Sequence, residues 1–258
     1  MALIGNEMEY AKKILTGAVK EKNLFKALVI LTKYYYFEMS MDVKNIEKNL
    51  RMYIKAMGDN IDDETLENII KSNTSSKTNI NKLDNIIITL QEWQTIQEMG
   101  RTERERKLLF TLLCMYKVKI GLGYSDNGLV KIEYTQLNSL AHVVFKSAER
   151  IDVFRYFIEC GMIEMGMGQL ASRVKLHYIF PESKRLIEIT DFEAFNVYYD
   201  YLKKGGRLIN CKECGKLVLA KGNKTQYCKD CANKIEQGNE EEERNYQRKD
   251  EDEIKGKA

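Results

Sequence analysis

Proline is almost absent from this sequence, with one residue in 258, and no apolar run approaches the length of a membrane span. Because proline is the strongest helix breaker, its scarcity favours helices, as do abundant leucine, isoleucine, methionine, glutamate and lysine. The missing apolar span excludes a transmembrane helix. The net charge is only +3, so bulk charge does not identify a nucleic-acid partner. We expect a mainly α protein with few strands and no membrane contact.

The first ten residues also lack the features of a secretory leader. Met1 to Tyr10 alternates apolar with acidic residues and has no apolar core segment, so we expect a cytoplasmic protein. Four of the six cysteines form two Cys-x-x-Cys pairs, a pattern that indicates metal ligation in a reducing compartment. The other two, Cys114 and Cys160, lie in apolar helical contexts and are interpreted as small buried residues.

The two Cys-x-x-Cys pairs are the most specific motif in the chain. Cys211 and Cys214 form the first pair, Cys228 and Cys231 form the second, and thirteen residues separate them. Four thiolates at this spacing predict one structural Zn2+ ion, because a closed sulfur shell leaves no position for a catalytic water. The motif resembles zinc ribbons and small treble-clef-like modules. We expect a zinc-ribbon-like module over residues 206–235, with a strand at residues 217–219.

Apolar residues recur at helical spacing through the first part of the chain. The pattern predicts an N-terminal helical domain over residues 1–72. Its predicted helices cover residues 7–20, 24–37, 43–57 and 63–71. The polar segment 73–85, dominated by Ser, Thr, Asn and Lys, is expected to be a linker.

Residues 86–205 are expected to form a second domain. Its predicted strand lies at residues 86–88, and two Thr-x-x-Glu capping boxes, at Thr89 and Thr102, predict helix starts one residue later. Further predicted helices cover residues 135–143, 147–160 and 191–204. Alternating residues 173–180 are expected to pair with residues 185–190 as a β-hairpin, with its turn at Pro181 to Lys184.

A helix-turn-helix followed by a two-stranded hairpin is the set of parts found in a winged helix, and the segment from Arg101 to Tyr201 resembles that family. Residues 156–163 resemble the end of a recognition helix that turns at Gly161 into the first wing strand. The resemblance implies a winged helix-turn-helix with a β-hairpin wing. Winged helices bind nucleic acid or only protein, so both functions stay open.

The candidate nucleic-acid contacts are basic residues on three predicted elements. Ile151, Phe154 and Ile158 of the predicted recognition helix are expected to turn inward, which leaves its bases outside. The candidates on that helix are Lys146, Arg150 and Arg155; those on the hairpin are Arg173, Lys175, Lys184 and Arg185; those on the zinc module are Lys212, Lys216, Lys221 and Lys224.

The sign of the charge changes along the last fifty residues. Residues 207–235 contain seven basic and two acidic residues, a balance that suits phosphate contacts, although a solvated surface is the alternative. Residues 236–258 contain nine acidic and five basic residues with little to bury, so we expect a disordered acidic tail. The tail either solubilises the protein or competes with nucleic acid for the basic module.

No catalytic motif is present, since the chain lacks a zinc-protease helix, a Gly-x-Ser-x-Gly elbow and a dinucleotide fingerprint. We therefore expect no enzyme. The favoured interpretation is a zinc-containing nucleic-acid-binding accessory or regulatory protein, with DNA preferred over RNA. The alternative is an adaptor that binds a polymerase, a nuclease or a host factor. The parts resemble DNA-binding proteins of phages and mobile elements, and the composition is similar to that of low-GC Gram-positive bacteria.

Overall fold

The structure, a computed structural model, describes residues 4–19, 21–75, 78–166, 173–220 and 222–237. It divides the chain into two units, and the first ends at Glu193 while the second begins at Ala194. Helices predominate, and the described strands form small antiparallel sheets. Among the described helices, none combines the length and the hydropathy that a membrane span requires.

The first unit begins with a cluster of helices, and each α-helix starts at an Asn or Asp whose side chain accepts a hydrogen bond from a backbone amide of the first turn. The helices are α1 (Glu7–Leu15), α2 (Leu24–Lys33), a π-helix (Tyr34–Glu38), α3 (Val43–Met57) and α4 (Asp63–Asn73). Their core contains Leu28, Leu31, Ile46, Leu50 and Leu66, all fully buried. The predicted helices are confirmed, although the first ends at Leu15 rather than at residue 20.

The predicted linker is held to the start of the chain along its second half. Glu7 and Leu83 donate backbone hydrogen bonds to Asn81 and Gly5, each at 2.9 Å. The Glu7 carboxylate accepts a bond from the Asn81 amide at 2.8 Å and pairs with Lys33 at 3.0 Å. Residues 78–85 are therefore part of the fold of the first unit, while residues 76 and 77 lie outside the described residues.

Both predicted helix starts after the linker are confirmed. The following elements are β1 (Ile86–Thr89), α5 (Leu90–Met99) and α6 (Glu103–Gly121). Thr89 and Glu92 form a complete capping box. Thr102 caps α6, but the Glu105 carboxylate accepts its bond from the Arg101 amide at 2.8 Å instead of completing a box.

Glu92 is fully buried and joins three parts of the first unit. Its carboxylate pairs with the Lys117 ammonium of α6 at 2.7 Å. It also accepts backbone hydrogen bonds from Thr89 at 2.8 Å and from Phe180 at 3.1 Å. A buried carboxylate needs these partners, because an unpaired charge in the protein interior is very costly.

A four-stranded antiparallel sheet and two helices follow α6. The elements are β2 (Ser125–Asp126), β3 (Leu129–Lys131), α7 (Tyr134–Ala141), α8 (Ser147–Glu159), β4 (Ile163–Met165) and β5 (Arg173–Leu176), and the strand order is β2-β3-β5-β4. Asn127 and Gly128 both have positive φ, of 50° and 79°, which fits a tight turn between β2 and β3.

The predicted hairpin between residues 173–180 and 185–190 is wrong in its pairing. Strand β6 (Arg185–Ile189) pairs with β1, with Ile86 opposite Ile189, whereas β5 pairs with β3 and β4. Buried Ile86 and Ile88 belong to a short strand that needs a partner, and β6 supplies one from far along the chain. The prediction paired residues 173–180 with residues 185–190 because these two segments are adjacent in the sequence.

The second unit consists of a helix, a hairpin and a short helical segment. It contains α9 (Phe195–Lys204), β7 (Arg207–Asn210) and β8 (Leu217–Ala220), and residues 229–237 are helical. The predicted domain over residues 86–205 includes α9, but the structure places this helix in the second unit, whose first residue is Ala194. The predicted boundaries at residues 72 and 205 thus differ from the one observed. Residues 238–258 of the predicted tail lie outside the described residues.

Candidate metal centre and basic surfaces

The first cysteine pair lies in the turn of the β7–β8 hairpin. Cys211 directly follows β7, and its amide donates to the Lys216 carbonyl at 2.8 Å. The Gly215 amide donates a hydrogen bond to the Cys211 carbonyl at 2.9 Å. Its backbone has a φ of +72°, a conformation that residues other than glycine rarely adopt. The predicted strand at residues 217–219 is confirmed as β8. The hairpin therefore presents both sulfurs of this pair from one tight turn.

The second pair lies at the start of the helical segment 229–237, not on a second hairpin. Cys228 precedes this segment, and its carbonyl accepts a bond from the Ala232 amide at 2.9 Å. The Cys231 amide donates to the Cys228 sulfur at 3.4 Å. Amides at a helix N-terminus favour negative charge, so this position suits thiolates. The module is therefore a hairpin followed by a helical segment, each of which supplies two cysteines.

The four cysteine sulfurs lie within 4.8 Å of one another, and the cluster could hold a metal ion. Cys214 and Cys228 have a sulfur-to-sulfur distance of 3.7 Å, far longer than the roughly 2.05 Å of a disulfide. Cys214 is exposed and the other three cysteines are buried. Val218 and Tyr227 pack against the cluster. The predicted convergence of the four residues on one site is therefore confirmed.

Hydrogen bonds shift the pKa values of two cysteines of the cluster in opposite directions. Bonds from backbone amides, chiefly that of Cys214, lower the pKa of the Cys211 thiol to about 6. A bond with the Cys228 sulfur, followed by burial, raises the pKa of the Cys231 thiol to about 12. One ligand is thus ionised near neutral pH while another holds its proton. Metal binding by four thiolates would release protons from the site.

The predicted bases of α8 share the helix with acids. Lys146 and Arg155 are exposed, and Arg150 is half-buried with its guanidinium 4.9 Å from the centre of the Tyr134 ring. Glu149 pairs with Arg104 of α6 at 2.7 Å, and Asp152 with Arg101 at 3.5 Å. Basic and acidic side chains therefore alternate on the surface of this helix.

The predicted inward face of α8 is partly wrong. The buried residues are Val153, Phe154 and Phe157, whereas Ile151 is 56% exposed and Ile158 43% exposed. Two apolar patterns at helical spacing overlap in this helix, and both include Phe154. The pattern that contains Phe154 and Phe157 faces the core. Ile151 and Ile158, which belong to the other pattern, lie at the edge of this buried face.

The predicted wing bases are divided between two different sheets. Arg173 and Lys175 lie on β5, where Arg173 pairs with Asp126 at 3.0 Å and Lys175 lies 4.0 Å from Glu164. The alternation of this strand is confirmed, because Val174 and Leu176 are buried. Lys184 and Arg185 are exposed, but they lie at the β1–β6 pair and not at a hairpin tip shared with β5.

The described bases around the metal centre are all exposed. Lys212, Lys216 and Lys224 are among the predicted contacts, while Lys221 lies outside the described residues. Three further exposed bases belong to the predicted charge balance but not to the predicted contacts: Arg207, Lys229 and Lys234. Within residues 207–220 and 222–237 no ion pair is formed between described side chains.

Comparison of the chain with protein-family models, with curated proteins and with solved structures found no match.

Proposed function

We propose that the protein is a zinc-containing nucleic-acid-binding accessory or regulatory protein that contacts DNA through its metal module. The observation that carries the proposal is the set of exposed bases around the four cysteines, which have no ion-pair partners among the described residues. Unpaired Lys and Arg side chains that meet phosphates release condensed counterions, and this release supplies most sequence-independent affinity.

The geometry of the cluster supports zinc as the metal. Four sulfurs about 2.3 Å from a tetrahedral Zn2+ lie about 3.8 Å from one another. The distance between the sulfurs of Cys214 and Cys228 is 3.7 Å, and the whole set lies within 4.8 Å. A four-thiolate site also disfavours magnesium and calcium, which prefer oxygen ligands. Because the coordination would be complete, we assign the metal a structural role and no catalytic residue.

The element order of the first unit supports a winged helix. Helix α6, strand β3 and helices α7 and α8 are followed by the β4–β5 hairpin, and the strands lie in the order β3-β5-β4. In this interpretation α8 is the recognition helix and β4–β5 is the wing, which replaces the hairpin that the sequence predicts. Helix α8 contains two bases and three acids, with Lys146 as its N-cap residue. This balance does not favour phosphates, so we place the main DNA contacts at the metal module.

The biological setting is proposed on the sequence alone. Resemblance and composition support a phage or mobile element of a low-GC Gram-positive bacterium, and a cytoplasmic location. RNA is the second nucleic-acid candidate. The adaptor function is favoured by one observation, the exposure of Ile151 and Ile158 on α8.

The proposal is tested by the salt dependence of binding to mixed-sequence duplex DNA, measured by fluorescence anisotropy. Replacing Lys212, Lys216 and Lys224 with Gln is expected to weaken binding similarly for all sequences. The slope of log K against log salt should fall by up to about 0.9 for each phosphate that the variant no longer neutralises.

A matched control replaces Lys22, Lys71 and Lys131, which are exposed lysines of the first unit, with Gln. This variant has the same net charge as the first triple variant. We expect its slope to stay close to that of the wild type. Equal slopes for the wild type and the metal-module variant, with both proteins folded and metal-loaded, would contradict the proposal and favour the adaptor.

A further inference from the structure

The two flanks of helix α8 differ in chemistry. One flank carries Glu149, which pairs with Arg104 of α6, and Asp152, which pairs with Arg101 just before α6. The other flank borders a groove of about 380 Å³ that α8 forms with Tyr134 of α7 and Met165 of β4. None of the described residues that line this groove is acidic. We call it the α7–α8–β4 groove.

The centre of the α7–α8–β4 groove is apolar. Phe154 lies at its core side, and Ile151 and Ile158 border it while remaining about half exposed. These two isoleucines are seven residues apart, so they lie two turns apart on the same side of α8, separated by about 10.5 Å. Anchors at this spacing are the ones by which an amphipathic helix is recognised in a groove.

The rim of the groove is basic. Arg150 and Arg155 both line it, and Arg150 is stacked on the Tyr134 ring. Arg155 forms no ion pair with any described residue. A second copy of this chain is a poor occupant, because a two-fold interface brings the same patch of both copies together and would oppose like charges. An occupant with carboxylates beside its apolar anchors matches this rim.

We propose that the α7–α8–β4 groove is a docking site for an amphipathic helix of another protein, with apolar anchors two turns apart and acidic residues beside them. Anchored apolar contacts surrounded by a polar rim are typical of protein interfaces. Nucleic acid fits less well, since base edges present mainly hydrogen-bonding groups that the two isoleucines cannot satisfy. This site shares no residue with the bases of the metal module to which we assign DNA.

The test is a selection on the full-length, metal-loaded protein from a displayed library of helical peptides. Two anchor positions, spaced as Ile151 and Ile158 are, vary among Leu, Ile, Phe and Met, and their neighbours vary among Glu, Lys and Ala. We expect enrichment of peptides with glutamate beside the anchors. Affinities of the selected peptides are then measured by fluorescence anisotropy.

Two variants locate the binding. The double substitution Ile151→Ser and Ile158→Ser should weaken the selected peptides by at least about tenfold. Arg155→Gln should weaken them roughly three- to tenfold at low salt, and less as salt screens the charges. The control carries Val43→Ser and Met52→Ser on α3, which are 50% and 54% exposed in the wild type, and it should bind normally.

Three results would overturn the proposal: no enriched peptide, enrichment of lysine-rich peptides, or binding that the isoleucine variant leaves unchanged. A loss of DNA affinity in the isoleucine variant, with no loss of peptide affinity, would assign the surface to nucleic acid instead. These outcomes are independent of the lysine variants of the metal module. Circular dichroism and metal content verify that each variant is folded.

Discussion

The first unit and the metal module are stabilised by different means. The first unit buries many large apolar side chains, such as Leu31, Leu50, Phe110 and Phe157. Among the described residues from Cys211 to Cys231, by contrast, the buried ones are three of the cysteines themselves, with Val218 and Tyr227 partly buried against them. A chain segment without an apolar core depends on ligation, because burial alone does not offset its conformational entropy.

Each of the two parts is therefore sensitive to a different change. Loss of metal should unfold the module and leave the first unit intact, while loss of a buried side chain of the first unit should leave metal binding intact. Variants that lose the metal and variants that lose a buried apolar side chain therefore distinguish stability that comes from ligation from stability that comes from core packing.

The largest expected effect follows from Cys228→Ser. A structural zinc site supplies roughly 10 kcal/mol or more of apparent binding energy, and most of it should disappear with one thiolate. We expect about one equivalent of zinc in the wild type and little in the variant, measured by elemental analysis of reduced protein. Limited proteolysis should then cut within the module.

Cys160→Ser serves as the control, since it also removes one thiol but lies on the first unit. It should retain zinc. A melting curve of the first unit that shifted in the Cys228 variant as much as the module itself would contradict the proposed independence. Wild-type protein without metal and with four freely titratable thiols would remove the metal centre altogether.

An intermediate effect is expected from two adjacent positions of α8. Phe157→Ala should lower the free energy of unfolding of the first unit by about 3 to 5 kcal/mol, because it leaves a cavity at a fully buried site. Ile158→Ala should change it by no more than about 0.5 kcal/mol, because that side chain is 43% exposed. Urea denaturation measures both. Similar decreases for the two variants would support the sequence-based prediction that Ile158 faces the core.

A smaller effect, of about 3 kcal/mol, is expected from Glu92→Gln. The substitution removes the charge that balances Lys117 inside the first unit. Glu98→Gln, at an exposed position of the same helix α5, is the matched control and should be nearly neutral. Zinc content should be unchanged in both variants. Equal urea midpoints for the two would show that the buried pair contributes little.

Much of the local structure could be predicted because its causes are local. The limits of α3 agree with the predicted helix, and both helix starts after the linker lie where threonine caps them. A capping bond joins residues three positions apart, so sequence spacing is sufficient to find it. The same holds for the metal cluster, whose two pairs are recognisable from their own spacing.

The site residues outside the cluster were harder to predict. Nothing in the spacing of Arg173 and Lys175 shows that each lies near an acid of another strand of the same sheet. The α7–α8–β4 groove was missed because Ile151 and Ile158 belong to a pattern that also suits a buried face. The Asn-Gly pair between β2 and β3 is a hairpin signal that could have predicted this turn.

The sequence by itself determined that the protein is rich in helices, where several of them begin, and that four cysteines gather at one site. Only the tertiary structure decided that β6 pairs with β1, that residues 78–85 are held to the chain start, and which side of α8 faces the core. These features depend on contacts between segments far apart in the chain. The sequence contains both partners of each such contact, but the free energy of pairing depends on the whole fold and not on either segment alone.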